Sequence, residues 1–480
     1  MTAETDDLVE TFVAALRDQN AAIFAGAGLS VPAGFVNWKK LMQSVASDLG
    51  LDVDKEHDLI ALAQYHKNER GGRHKINQLI VTELTKRAVL TENHKILARL
   101  PIQTFWTTNY DRLIEQALGQ EGKMPDVKIT KENLAHNVPR RDAVVYKMHG
   151  DVQHPDQAVI TKDDYETYNE KRQLFSTALQ GDLVSKTFLF LGFSFSDPNL
   201  DYVLGRIRVL LGENRRDHYC VLRKVQRKDF RSRSDFIYAQ TKQQLQVRDL
   251  SRYGIIAVLV DSYQELTGLL KRIEKRYLRN TVFISGSAEV FQPWSEAEAT
   301  DFIERLASSL IRAGFQIVSG FGLGVGSSVI NGVLRELDSE KTKSLDDRLI
   351  LRPFPQYSLN SVARQASWRR YREEMIPRAG IAIFLFGNKK GGDGSIRNAE
   401  GVVEEFQIAK EQGLAVVPIG ATGYASKELY IQVRKSFKEY YGSARGLKKE
   451  FLALDRTPSA KGELVERIVS FAEKLRQQKS

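Results

Sequence analysis

Four short stretches carry the residue types that chemistry on a nucleotide requires. They are Ala25-Gly26-Ala27-Gly28-Leu29-Ser30, Thr107-Thr108-Asn109-Tyr110-Asp111, Lys147-Met148-His149-Gly150-Asp151 and Gly192-Phe193-Ser194-Phe195-Ser196-Asp197-Pro198-Asn199. Glycines at 26 and 28, directly after Ala25, let backbone amides approach a pyrophosphate, and Ser30 adds a hydroxyl near the start of the next helix. Asn109 offers both a donor and an acceptor to ribose hydroxyls or to an ordered water, and Asp111 can hold a nicotinamide amide. His149 precedes a glycine at a strand end, so its imidazole can project into a cleft and act as a base. Ser194 and Asp197 are placed to close over the adenosine side. Each stretch alone has a plainer reading: a structural glycine turn, an Asn-Tyr-Asp turn capping a helix at Leu113, a satisfied strand-end histidine, a simple turn. In this order they point together to NAD. Its nicotinamide leaves as an already cationic pyridinium, so ordering, desolvation and one base suffice.

The elements that must position these residues follow from apolar patterning. Ala21 to Phe24 reads as a buried strand feeding the glycine loop, after a helix over Leu8 to Asp18. Ile102 to Thr107, Val144 to Met148, Thr187 to Leu191, His218 to Leu222 and Ile255 to Val260 read as further core strands separated by helical segments. That alternation predicts a mostly parallel α/β sheet with ligands at the carboxyl ends of its strands. From Trp38 to about Leu100 apolar residues recur at three and four, which predicts an inserted helical module over the cleft.

A second α/β unit begins near residue 281, and the boundary is set near 280. Its expected strands are Val282 to Ser285, Gln316 to Ser319, Arg348 to Arg352, Ile381 to Gly387 and Ala415 to Ile419. Gly320 to Ser328 follows a strand and opens a helix, a layout suited to a second phosphate, and Gly391-Gly392-Asp393-Gly394-Ser395 repeats the theme ahead of Glu404 and Glu405; the plainer reading of either is a flexible surface loop, above all for the solvent-facing part of Asn388 to Gly394. Arg369, Arg370 and Arg372 form a basic cluster that could pair with a diphosphate, and Lys389 lies beside the second loop.

Composition narrows the class. The 480 residues exceed one core's usual span, and 42% apolar with 27% charged content is that of a globular protein. The single cysteine, Cys220, excludes an intrachain disulfide and a zinc site of several thiolates. No leader and no apolar run near the roughly 20 residues needed to span a bilayer is evident, so a cytoplasmic protein without membrane attachment is expected. The net charge of +10 would suit a polyanion. The basic residues are interspersed with acids on amphipathic stretches, however, so solvated helix faces are expected rather than a nucleic-acid groove.

The Gly-Ala-Gly-x-Ser, Thr-Asn-Tyr-Asp and His-Gly motifs, in this order, resemble the sirtuin fold over about the first 260 residues. The resemblance implies Ala25, Gly26, Gly28 and Ser30 at the NAD pyrophosphate, Asn109 at the nicotinamide ribose or the attacking water, and His149 as base. Sirtuin deacylases also carry a four-cysteine zinc ribbon. One cysteine cannot build it, so no metal is expected and the implied chemistry is attack by water, giving nicotinamide and ADP-ribose. The second half resembles the SLOG superfamily through Gly286, Ser287, Gly322, Gly324 and the Gly-Gly-x-Gly-Ser segment. Its enzymatic relatives carry Pro-Gly-Gly-x-Gly-Thr-x-x-Glu; Lys390, Ser395 and Asn398 depart from that pattern and favour sensing over phosphoribohydrolase activity.

A sirtuin-like domain (1–280, with its helical module) ahead of a Rossmann-like SLOG domain (281–480) resembles the Thoeris antiphage effectors. That implies a homotetrameric NAD hydrolase, switched on when a cyclic ADP-ribose isomer made by a TIR-domain partner binds the SLOG domain. Arg372, Lys389 and Glu404 are the implied ligand contacts. Two other readings stay open: a zinc-less deacylase or ADP-ribosyltransferase, and a catalytically dead nucleotide- or nucleic-acid-binding protein.

Overall fold

The computed structural model describes residues 3–86, 88–193, 195, 197–212, 216–339, 344–354, 361–442, 446–456 and 461–478. Two compact units part between Glu274 and Lys275, a few residues ahead of the boundary set from sequence.

The first unit is built on seven strands: β1 (Ala21–Ala25), β2 (Thr104–Thr107), β3 (Pro125–Lys128), β4 (Ala143–Lys147), β5 (Thr187–Leu191), β6 (His218–Arg223) and β7 (Ile255–Val260). They pair in parallel in the order β3-β4-β2-β1-β5-β6-β7. Every residue of β1 and β5 is buried, as expected of short apolar runs covered on both faces. The chain leaves β1 toward β2 and returns on the other side as β5. The strand order thus reverses at β1, and an open α/β sheet has its ligand crevice at such a reversal. Phe24, Trp106, Phe175, Phe188 and Phe190 form the core on one face.

Helices Trp38–Asp48, Leu59–Glu69 and His74–Leu84 form the insertion. Leu41, Met42, Val45, Leu62, Ile76 and Ile80 pack together there and onto Tyr110, Val152 and Ile160 of the α/β body. Asn37 and Asp58 cap the first two helices, accepting from Lys40 N and Ala61 N at 2.9 Å each. Helix Glu92–Arg99, expected within the module, instead packs against helix Leu113–Gln120, and its Arg99 Nε meets Glu274 Oε1 at 2.6 Å. The module therefore ends at Leu84. Apolar spacing identified these helices but could not say which body each would cover.

The second unit has β8 (Thr281–Ser287), β9 (Gln316–Ser319), β10 (Leu349–Leu351), β11 (Ile381–Phe386), β12 (Asn388–Lys390), β13 (Ile396–Asn398) and β14 (Ala415–Pro418). Five of them make a parallel sheet in the order β10-β9-β8-β11-β14, while β12 and β13 pair as an antiparallel hairpin. Two α/β units with parallel sheets and covering helices match the architecture expected from sequence. No helix among the described residues is long and apolar enough to cross a membrane.

His218 opens β6 fully enclosed, and its Nδ1 accepts the Phe188 backbone N–H at 3.2 Å. Burial pushes its pKa down from the ordinary 6.5 to about 4. The unfolded chain therefore binds the extra proton first as the solution is acidified. The stability associated with the neutral ring is present above 6.5 and is lost as pH falls toward 4, by about 3 kcal/mol for this group. Denaturant titrations at pH 7 and 4.5 are expected to show a smaller acid loss in His218→Gln than in the parent. Equal losses would show that His218 is not a source of the acid sensitivity.

Candidate active site

The loop after β1 is set by backbone contact. Gly26 N donates to Leu191 O and Gly28 N to Gly192 O, each at 2.9 Å, so the β1 and β5 loops lie in one seam. A Cβ at Gly26 would stand 2.4 Å from Gly192 O, and one at Gly28 2.9 Å from Gly192 Cα. These two glycines were expected to offer amides to a pyrophosphate. Their amides are spent within the seam, and glycine is required there for close backbone approach. Ala25 is buried behind the cleft, its carbonyl accepting from Thr107 Oγ1 at 2.9 Å.

Thr107 also receives Asn109 N–H on Oγ1 at 2.9 Å, which turns the chain out of β2. The Asn109 amide nitrogen then donates to Gly26 O at 3.1 Å and Ser30 Oγ at 3.0 Å, and Ser30 passes its own hydrogen to Asp111 Oδ2 at 2.8 Å. The other Asp111 oxygen accepts from Leu113 N at 3.1 Å, so the helix-capping reading of this motif holds as well. Asn109, Ser30 and Asp111 are one hydrogen-bonded chain rather than three independent contacts.

His149 lies two residues past β4, 4% exposed, with Tyr165 edge-on at 5.6 Å between ring centroids and Tyr168 at 6.2 Å. Its Nε2 is 3.2 Å from Asp197 Oδ2 but makes no aligned hydrogen bond. Burial pulls its pKa below the ordinary value, Asp197 opposing this and Arg172 adding to it. The ring is thus neutral near pH 7, the form a general base needs. Asp197, expected to close over the ligand, lines the cavity and stands against the histidine. Ser194 lies outside the described residues.

Gly28, Ser30, Asn109, Asp111, His149 and Asp197 all line one cavity of about 670 Å³, whose opposite wall comes from the helical insertion. Ala25 and Gly26 are not on its wall. A cavity of this size, mostly apolar with converging polar groups, suits a bound small molecule.

Two contributors were missed in the sequence. Lys147 is wholly buried: its Nζ donates to Tyr110 O at 3.2 Å and to Asp111 O, pairs with Asp151, and lies 3.3 Å from Glu115 Oε1. It ties the Asn109 turn to the strand that carries His149. The sequence places Lys147 in a core strand and in one motif with Asp151, but gives no sign that Glu115, 32 residues earlier, is its partner as well. Tyr165, on the cavity wall, donates its hydroxyl to Asp197 Oδ2 at 3.3 Å. Cys220 is enclosed in β6, and burial pushes its thiol up to about 12.

In the second unit the β8 and β9 loops form a comparable seam. A Cβ at Gly322 would be 2.0 Å from Gly286 O, and one at Gly324, whose φ is +69°, 2.3 Å from Ala288 O. Gly320 to Val325 does lead from β9 into helix Gly326–Ser339. Ser287 Oγ donates to Asn388 O at 3.1 Å. Gly391 to Ser395, expected as a second phosphate loop, is the exposed tip of the β12-β13 hairpin, with Gly391 N bonded to Ser395 O at 2.7 Å. Lys389, on that hairpin, pairs with Glu400.

Two of the three clustered arginines are already paired with carboxylates. Arg372 meets Glu404 Oε2 at 2.8 Å and Glu405 Oε1 at 3.1 Å and stacks over Phe354, while Arg369 pairs with Glu373 at 3.0 Å. Glu405 in turn accepts from Ser285 Oγ at 2.6 Å, and burial raises its pKa. Arg372 and Glu404 are therefore brought together.

Comparison with known proteins agrees with this two-part build. Residues 103–246 match the SIR2-like domain family, and residues 265–475 match the Sir2- and TIR-associating SLOG family. A "NAD(+) hydrolase ThsA" of Bacillus cereus strain MSX-D12 is 51% identical, over 97% of this chain and 98% of its own. Another of that name from Cytobacillus dafuensis is 47% identical, over 99% and 98% of the two chains. "Defense-associated sirtuin 2" of Bacillus subtilis is 26% identical over 40% of this chain and 20% of its own. Identity near one half, sustained end to end across a SIR2-like and a SLOG domain, places this chain in the ThsA family of NAD(+) hydrolases.

Proposed function

We propose that the cavity of the first unit hydrolyses NAD⁺ to nicotinamide and ADP-ribose. The observation that carries this reading is the convergence, in one cavity of about 670 Å³, of the Asn109–Ser30–Asp111 hydrogen-bond chain and a neutral, buried His149 whose Nε2 stands 3.2 Å from Asp197 Oδ2. The bond from the ribose to the pyridinium nitrogen breaks with its electron pair going to nicotinamide, which becomes neutral. Water oxygen forms the new bond to the ribose carbon, and its proton passes to His149. Asn109 orders the ribose or the water, and burial keeps competing water out. The curated names of the relatives support the same substrate and a place in defence.

The second unit acts as the switch, binding a cyclic ADP-ribose isomer supplied by a TIR-domain partner, in a homotetramer. Support comes from the match to the Sir2- and TIR-associating SLOG family and from the glycine seam after β8, whose Ser285 bonds Glu405, itself a partner of Arg372. Purified protein incubated with NAD⁺, with and without a panel of cyclic ADP-ribose isomers, tests both halves by chromatography of nicotinamide. Release that depends on one isomer is expected. Constitutive release would remove the gate, and none under any condition would remove the hydrolase. Arg372→Ala is expected to raise the required activator concentration about 10- to 100-fold, the scale of one lost charged contact. An unshifted activation curve would take Arg372 out of the ligand site.

A further inference from the structure

Asp197 is held from three sides. It caps helix Pro198–Leu211, with Oδ1 accepting from Asn199 N at 3.0 Å and Leu200 N at 3.1 Å. Its Oδ2 receives the Tyr165 hydroxyl at 3.3 Å and stands 3.2 Å from His149 Nε2. The carboxylate therefore cannot swing away without uncapping the helix, and the ring facing it is enclosed by two tyrosines.

We propose that Asp197 is the positioning residue of the candidate base: fixed by its helix cap and by Tyr165, it aims the His149 ring and pairs with the imidazolium that forms when His149 takes the proton of the attacking water. This deepens the hydrolase reading and rests on it for the identity of the reaction. The arrangement divides the carboxylate's labour by atom, since one oxygen serves the fold and the other faces the chemistry. It also explains how a histidine in so dry a place can accept a proton at all. Arg172, whose NH1 donates to Met148 O at 3.4 Å, disfavours a cation at His149, while Tyr165 and Tyr168 wall it off from solvent as neutral phenols. Asp197 is the one carboxylate within ion-pairing distance of that ring among the described residues.

Asp197→Asn separates the two roles, because asparagine caps helices as well as aspartate does but carries no charge. The test uses the full-length protein with ¹³C-labelled histidine, the His149 signal being assigned by its loss in His149→Gln. Removing the facing carboxylate is expected to lower the His149 pKa by about one unit or more. In the same variant the acid limb of nicotinamide release should move down with it, and the plateau rate should fall roughly 10- to 100-fold with the melting temperature kept. A His149 titration that is unmoved or shifted upward overturns the proposal. Should Asp197→Asn fail to fold, Asp197→Ser, another capping residue, is read by the same criteria. Absence of nicotinamide release from the parent protein would overturn the hydrolase reading alone, since the titration needs no turnover and still decides the pairing.

Discussion

Replacing His149 with Gln, or Asn109 with Ala, is expected to lower nicotinamide release from NAD⁺ at least 100-fold, and up to about 10,000-fold for the histidine, the range a positioned base supplies. The two effects have different origins. His149→Gln keeps a polar side chain of similar reach but cannot hold the proton of the attacking water. Asn109→Ala removes the amide that bonds Gly26 O and Ser30 Oγ, so Ser30 and Asp111 lose the group that orders them toward the cavity. Neither change opens the sheet, because both side chains sit past the ends of their strands. Melting temperatures within a few degrees of the parent are therefore expected, and turnover per folded molecule is the quantity to compare. Because the residues serve one step, the double variant should be little worse than His149→Gln alone. Full turnover in either single variant would remove that residue from the reaction.

The second large effect falls on stability, at the seam behind the site. Gly192 has φ +64°, and a Cβ there would lie 2.2 Å from Leu29 N and 2.6 Å from Gly28 C. Both obstacles are backbone, anchored by the Gly28 N to Gly192 O hydrogen bond, so no side-chain rotation relieves the clash. Gly192→Ala combines a left-handed backbone strain of about 1–2 kcal/mol with forced separation of two loops. A total loss above roughly 4 kcal/mol is expected, measured by denaturant unfolding. Gly181 provides the contrast: it lies within helix Tyr168–Ser185 with nothing within 4 Å of an added Cβ, so Gly181→Ala should stabilise by up to about 1 kcal/mol. Equal responses at the two positions would refute the seam as the reason for glycine.

Much of this fold was legible because the central strands are short apolar runs with no competing pattern. β5 and β7 begin and end where the sequence places them, at Thr187–Leu191 and Ile255–Val260. β3 went unread since its residues, Pro125-Asp126-Val127-Lys128, carry a proline and two charges; Asp126 and Lys128 are buried as a pair 2.9 Å apart, with Arg141 added from beyond the strand. Gly391 to Ser395 admits both a phosphate loop and a solvent-facing surface loop, because glycine content alone does not distinguish a strand-to-helix turn from a hairpin tip; the structure gives the second, at the tip of the β12-β13 hairpin.

The candidate site shows the same division. Asn109 and His149 were visible as motif residues, and the structure gathers them with Ser30, Asp111 and Asp197 around one cavity. What no local pattern carried was partnership over distance. Lys147 becomes interior only through Glu115, Asp151 and two carbonyls of the Asn109 turn, and Asp197 turns toward His149 only because β5 lies beside β1. Gly26 and Gly28 were identified correctly as special positions, but the cause is a neighbouring backbone that a single sequence does not display.

The most direct test is turnover of NAD⁺ by the purified protein in ¹⁸O-water with the panel of cyclic ADP-ribose isomers, products being resolved by mass spectrometry. Nicotinamide and ADP-ribose in equal amounts, one heavy oxygen in each ADP-ribose, and loss of both products in His149→Gln are expected. Nicotinamide released without labelled ADP-ribose, or labelled product persisting in His149→Gln, would contradict hydrolysis at this site.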